Sequence, residues 1–250
     1  MASSEQINPD VVAEGLRLVG IASRLNVPLR LLGGVAVRLH VPEMPAAVQR
    51  EYKDLDFATT KKASGDVQKL FRDSGYEPHV AFNAMNSKER LLFFDDAHER
   101  QVDVFVGSFR MCHEIPFEGR LAVHDASVPL AELLLTKLQI VELNEKDVRD
   151  AVALFDGHDL SDDDTAINQV RVAELCAGDW GLWRTITANL DTVRSHVDRY
   201  PIDTRHHVED RIARLLDRIE AEPKSRAWKL RDRIGERKRW YELPEEVGGV

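Results

Sequence analysis

Residues 53–60 read Lys53-Asp-Leu-Asp-Phe-Ala-Thr-Thr60, and polar and apolar side chains alternate through Phe57. That alternation predicts a strand with one acidic face, because successive side chains of an extended chain point to opposite sides. Asp54 and Asp56 are two residues apart and therefore share a face, about 6 to 7 Å apart along the chain. That spacing suits a shared cation. A second segment, Arg100-Gln-Val-Asp-Val-Phe-Val106, places Asp103 between valines. With Val102 and Val104 turned to a core, Asp103 is expected on the opposite face, where it can meet Asp54 and Asp56.

Upstream, Arg30-Leu-Leu-Gly-Gly34 is a short apolar run closed by paired glycines, and Val35 to His40 has helical character. Gly33 and Gly34 therefore join a buried strand to a helix, a turn at which phosphates can approach backbone N–H groups and the positive end of the helix dipole. Further upstream, Val11 to Leu25 reads as an amphipathic helix with apolar residues at Val11, Val12, Leu16, Val19 and Ile21. Downstream, Lys61 to Ser74 is expected to be helical and to stop at Gly75. Strands are expected near 77–81, 90–94 and 100–106, with another at 118–124. Strand, helix, strand and then hairpins predict an α+β fold with a mixed sheet flanked by helices.

From Val128 onward the pattern is helical. Pro129 to Leu143 and Lys146 to Phe155 are predicted helices around a break at Asn144-Glu145. Gly157 to Asp164, with four aspartates and little apolar content, is the predicted linker. The expected division is a core with its N-terminal helix over 1–156 and a C-terminal helical region over 157–250.

The 250-residue chain is 43% hydrophobic and carries a net charge of -9. Its hydrophobic content excludes a disordered chain, and no stretch approaches the roughly 18 uncharged apolar residues of a membrane span. The acidic balance argues against coating nucleic acid over the whole surface, because such binding rests on neutralising phosphates. Met1-Ala-Ser-Ser-Glu-Gln6 shows no basic region followed by an apolar one, so a cytoplasmic location is expected. Cys112 and Cys176 lie far apart without a CxxC pattern and predict neither a disulfide framework nor a zinc site.

With Gly33-Gly34, Asp54-Leu-Asp56 and Val102-Asp103-Val104 in this order, the chain resembles the nucleotidyltransferase superfamily. Its pattern is a Gly-Gly or Gly-Ser turn, a strand with two alternate aspartates and a later strand with a third. Within it the chain looks most like the abortive-infection, AbiEii-like toxins, which continue with a lysine-bearing helix and an aspartate motif. Here these read Leu134-Leu-Thr-Lys-Leu-Gln139 and Lys146-Asp-Val-Arg-Asp150. The resemblance spans residues 28 to 155 and implies a nucleotidyltransferase-type sheet, two magnesium ions on Asp54, Asp56 and Asp103, and a nucleoside triphosphate (NTP) as substrate. It also implies that Lys137 contacts nucleotide phosphates, supported by Asp147 or Asp150. A cognate antitoxin is an implied partner. Gly34 stands where the superfamily often has serine, so phosphate contact there would come from the backbone alone. Arg38 and Arg50, between the glycines and Asp54, are further candidates for a triphosphate.

In the C-terminal region, Trp180-Gly-Leu-Trp183 with Ile186, Leu190 and Val193 predicts an aromatic-anchored helix. Residues 223–241 hold eight Lys or Arg against Asp232 and Glu236, a local balance of about +6 with Trp228, Trp240 and Tyr241 among them. Such a segment can grip an RNA backbone and stack a base, tRNA being the expected nucleic acid, or it can be a solvated helix with aromatics packed inward. Three readings follow: transfer of a nucleoside monophosphate to an acceptor hydroxyl of tRNA, a protein or a small molecule; a catalytically silent nucleotide-binding or interaction module; and an RNA-binding protein working through its tail.

Overall fold

The computed structural model describes residues 7–243, which form two compact units. The first comprises residues up to Pro42, Arg50–Arg110 and Ile115–Pro129; the second comprises Glu43–Gln49, Met111–Glu114 and the chain from Leu130. The expected boundary at 156/157 falls inside the second unit.

The first unit is built on a five-stranded sheet flanked by helices. Helix α1 (Val11–Arg24) leads to β1 (Leu29–Leu32), α2 (Gly33–His40), β2 (Leu55–Thr59) and α3 (Ser64–Asp73). Then come β3 (Glu77–Pro78), α4 (Val80–Asn86), β4 (Arg90–Asp95) and β5 (Arg100–Val106). Their order is β1-β2-β5-β4-β3; only β2 and β5 run parallel, and the sheet is mixed as the sequence predicts. Leu55, Phe57, Leu91, Phe93, Val102 and Val104 share the fully buried face. Phe71 of α3 stacks on Phe93 with ring centroids 4.6 Å apart and meets Phe57 edge-on at 5.7 Å. Burying such rings stabilises by roughly 1.5–3 kcal/mol each, which makes this face the core that holds the strands in register.

Three local expectations are not met. The run at 77–81 yields only a two-residue strand, because the His79 ring accepts from the Phe82 N–H and starts α4. The run at 118–124 forms turns rather than a strand: Gly119 adopts φ +70, and the Arg120 N–H donates to the Phe117 carbonyl. In α1 the buried stripe is Glu14, Gly15, Leu18, Val19 and Ala22, while Leu16 is 40% exposed. Glu14 tolerates burial because Arg17, the Asn8 N–H and the Tyr76 hydroxyl all donate to its carboxylate at 2.6–2.9 Å.

The second unit is helical. Helix α5 (Leu130–Leu138) is buried along its whole length; α6 (Glu145–Gly157), α7 (Gln169–Gly178) and α8 (Trp180–His196) pack around it, and α9 (Arg205–Ala221) packs on those three. The predicted break before α6 is its cap, as the Asn144 side chain accepts from the Asp147 N–H. The expected linker at 157–164 contributes Leu160–Ser161 to a short parallel pair with Ile167–Asn168. Helix α10 (Arg226–Ile234) closes the unit. No helix among the described residues is long and apolar enough to cross a membrane.

Candidate active site

Strand register brings the first group of site residues together. Leu32, the last residue of β1, pairs with Asp56, and Asp56 pairs in turn with Asp103 across the parallel β2–β5 ladder. Paired residues share a face, so both aspartates stand on the side opposite the Phe57 and Val102 core, as the alternation requires. Asp103 is only 7% exposed, whereas Asp56 is half-buried. Asp54 lies one residue before the start of β2, exposed, and its Oδ1 accepts from the Gln101 N–H at 3.3 Å.

The glycine turn adjoins Asp56 directly. Gly33 has φ +66, and a Cβ built there would stand 1.9 Å from Asp56 Oδ2. Both the left-handed backbone and the contact demand glycine. Helix α2 begins at this residue with no side-chain cap, Leu32 preceding it. At Gly34 a Cβ would meet Arg50 Nη2 at 2.2 Å and the Tyr52 ring at 2.6 Å, while the Arg50 guanidinium lies 4.3 Å from the centre of that ring. Arg50 and Tyr52 therefore lie over the turn, and a side chain at Gly34 would lift them. Arg38 turns elsewhere: its Nη1 donates to the carbonyls of Val41 and Pro42 at the far end of α2.

Two residues that the sequence reading passed over complete the cluster. Arg90 Nε donates to Asp103 Oδ1 at 2.6 Å, and Gln101 Nε2 donates to Asp103 Oδ2 at 2.8 Å. Each oxygen of this nearly buried carboxylate thus holds a donor, as a buried polar group requires. Gln101 was within reach of sequence reasoning, being two residues before Asp103 on the same strand face. Arg90 was not, because its place depends on the β4–β5 register, which sets it opposite Phe105 and diagonal to Asp103.

No family model and no curated protein matches this chain. The site is therefore read from its own chemistry. Three carboxylates are the hard oxygen donors magnesium prefers, and the register between Asp56 and Asp103 fits a shared cation in donor type and face. Among the described residues, however, no group of three or more His, Cys, Asp or Glu side chains is gathered as a metal-holding cluster. The positive charge beside Asp103 comes from Arg90 instead.

The second group lies in the helical unit. Lys137, on α5 and 8% exposed, has its Nζ 2.8 Å from Asp150 Oδ2 and 3.4 Å from Asp147 Oδ1, both on α6. Asp147 also accepts from the Asn144 side chain, and Asp150 is fully buried. The two aspartates hold the lysine, and the three residues tie α5 to α6.

In the basic segment 223–241, Trp228 Nε1 donates to the Cys176 carbonyl, Trp240 Nε1 to Thr185, and Trp180 Nε1 to Asp232. Trp228 meets Trp183 edge-on at 5.0 Å, and the Arg231 guanidinium stacks 4.3 Å from the Trp180 ring centre. These aromatics serve packing within their unit. Arg226, Lys229, Arg233, Arg237, Lys238 and Arg239 remain exposed.

Proposed function

We propose that the chain is a metal-dependent nucleotidyltransferase that moves a nucleoside monophosphate from an NTP to an acceptor hydroxyl, with release of pyrophosphate. The observation that carries this reading is the register Leu32–Asp56–Asp103, which sets two aspartates side by side next to the Gly33 turn. Asp54, Asp56 and Asp103 would hold magnesium, whose chemistry at such a site is to activate the attacking oxygen and support the departing pyrophosphate. The start of α2, which no side chain of Leu32 caps, would offer N–H groups and a favourable dipole to phosphate oxygens once Arg50 and Tyr52 lift from the turn, and Arg50 adds a positive charge beside it. The acceptor class this reading favours is RNA, because the six exposed cations between 226 and 239 supply phosphate contacts in an otherwise acidic protein.

A second reading, a catalytically silent nucleotide-binding module, is favoured by the Arg90 and Gln101 donors on Asp103. One experiment separates the two. Purified protein is incubated with each α-labelled NTP, magnesium and total tRNA, beside an Asp54→Ala, Asp56→Ala double variant. Label on RNA with wild type and none with the variant supports transfer; nucleotide binding with neither label nor pyrophosphate supports the silent module.

A further inference from the structure

We infer that Arg90 is the resident counter-cation of Asp103 and that a divalent cation must compete with it, so that Arg90 sets the metal concentration at which the site loads. This rests on the reading of Asp54, Asp56 and Asp103 as the metal-holding group.

Three features carry it. First, Arg90 meets Asp103 through Nε alone, at 2.6 Å. Its two terminal nitrogens make no hydrogen bond to any described residue, so the two-pronged guanidinium–carboxylate grip, which is the strong form of this pair, is not made. A single contact is displaceable. Second, the pair sits where a cation's charge would be felt. The side chains of Arg90 and Asp103 are 19% and 9% exposed, so solvent screens them weakly, and Asp56 stands opposite Asp103 in the ladder. Third, Arg90 has somewhere to rest when displaced: its guanidinium already lies 5.3 Å from the Phe105 ring centre, on the same sheet face, a contact that does not involve Asp103. Gln101, the other donor to Asp103, is neutral and leaves the carboxylate's charge available to a metal.

The test is manganese binding to the metal-stripped full chain, followed by calorimetry and by the spin-resonance signal of free Mn²⁺, for wild type, Arg90→Gln, Arg90→Met and Arg90→Lys. Removing one charge-assisted contact corresponds to roughly a 10- to 100-fold change in affinity. Arg90→Gln and Arg90→Met should therefore bind Mn²⁺ about tenfold or more tightly than wild type, while Arg90→Lys, which keeps the charge, should stay close to wild type. Circular dichroism in metal-free buffer selects the variants that remain folded, and the two neutral replacements differ in polarity so that at least one retains the packing on Phe105. If wild type binds Mn²⁺ and the neutral variants bind it equally or more weakly, Arg90 is a structural partner and the inference fails while the metal site stands. Tightening by Arg90→Lys as large as by Arg90→Gln also overturns it. If no variant binds Mn²⁺ at millimolar concentration, the metal site and the inference fall together.

Discussion

Replacing Gly33 with alanine probes the contact on which the proposed site depends. The added Cβ would stand 1.9 Å from Asp56 Oδ2 and 2.8 Å from its Cγ, at a residue held at φ +66. A left-handed backbone costs an L-residue about 1–2 kcal/mol. Losing glycine's freedom in the unfolded chain returns about 0.4–1 kcal/mol. Forcing the carboxylate aside adds about 1–3 kcal/mol of overpacking. The expected loss is therefore about 1–5 kcal/mol, read as a urea-unfolding shift by far-UV circular dichroism, because all four tryptophans lie in the other unit and report that unit alone. Mn²⁺ affinity should fall with it, since Asp56 leaves its place beside Asp103. Combining Gly33→Ala with Asp56→Ala should recover the overpacking share and leave the backbone share, a coupling expected only of residues in contact. Gly34→Ala is the comparison: its clash is with Arg50 Nη2 and the edge of the Tyr52 ring, its backbone is not left-handed, and it should carry only the overpacking share of about 1–3 kcal/mol. A Gly33→Ala protein within about 0.5 kcal/mol of wild type, with no coupling to Asp56→Ala, would refute the reasoning.

Two further expectations concern buried charge. Lys137→Met removes the ammonium partner of the fully buried Asp150 and should destabilise the helical unit by about 3–5 kcal/mol, seen in tryptophan fluorescence during urea unfolding; a loss under about 1 kcal/mol would show that the ion pair is not what holds α5 to α6. At Glu14, burial works to raise the carboxyl's pKa, yet the hydrogen bonds from Arg17, the Asn8 N–H and Tyr76 outweigh it and hold the carboxyl below its ordinary range. Its folded pKa being lowered, the stability it contributes is present above the unfolded value, about 4.3, and is lost as pH falls through the folded one. Glu14→Gln should therefore cost about 1–3 kcal/mol at pH 7, with the gap to wild type closing below about pH 4; a pH-independent gap would assign the effect to shape alone.

How far the sequence reaches can be seen residue by residue. Period-two alternation in 53–57 and 100–106 is a local property, and it was enough to put Asp56 and Asp103 on one face of a strand opposite the apolar core. Paired glycines before a helical run were enough to predict the turn at Gly33, because only a few residue types tolerate what such a turn demands. Most helix positions followed from spacing, with the break at Asn144-Glu145 falling at the start of α6, although the run expected to reach Leu143 ends at Leu138 and α4 begins where a strand was expected. What local pattern lacks is register. Nothing in the sequence of β4 says that Arg90 lies diagonal to Asp103, and that single long-range pairing decides whether the third carboxylate stands bare or already holds a positive partner. The same holds for Glu14, whose burial the spacing of α1 does not reveal and whose long-range partner is the Tyr76 hydroxyl. It holds too for the tryptophans of the basic tail, which read equally well as base-stacking platforms until their indole N–H groups find Cys176 and Thr185. The sequence by itself determined which residues are extended, which are helical and which faces carry charge, since these depend on neighbours a few positions away. Only the tertiary structure decided which charges are neutralised, since that depends on contacts between residues far apart in the chain, made when the strands take their register and the helices pack.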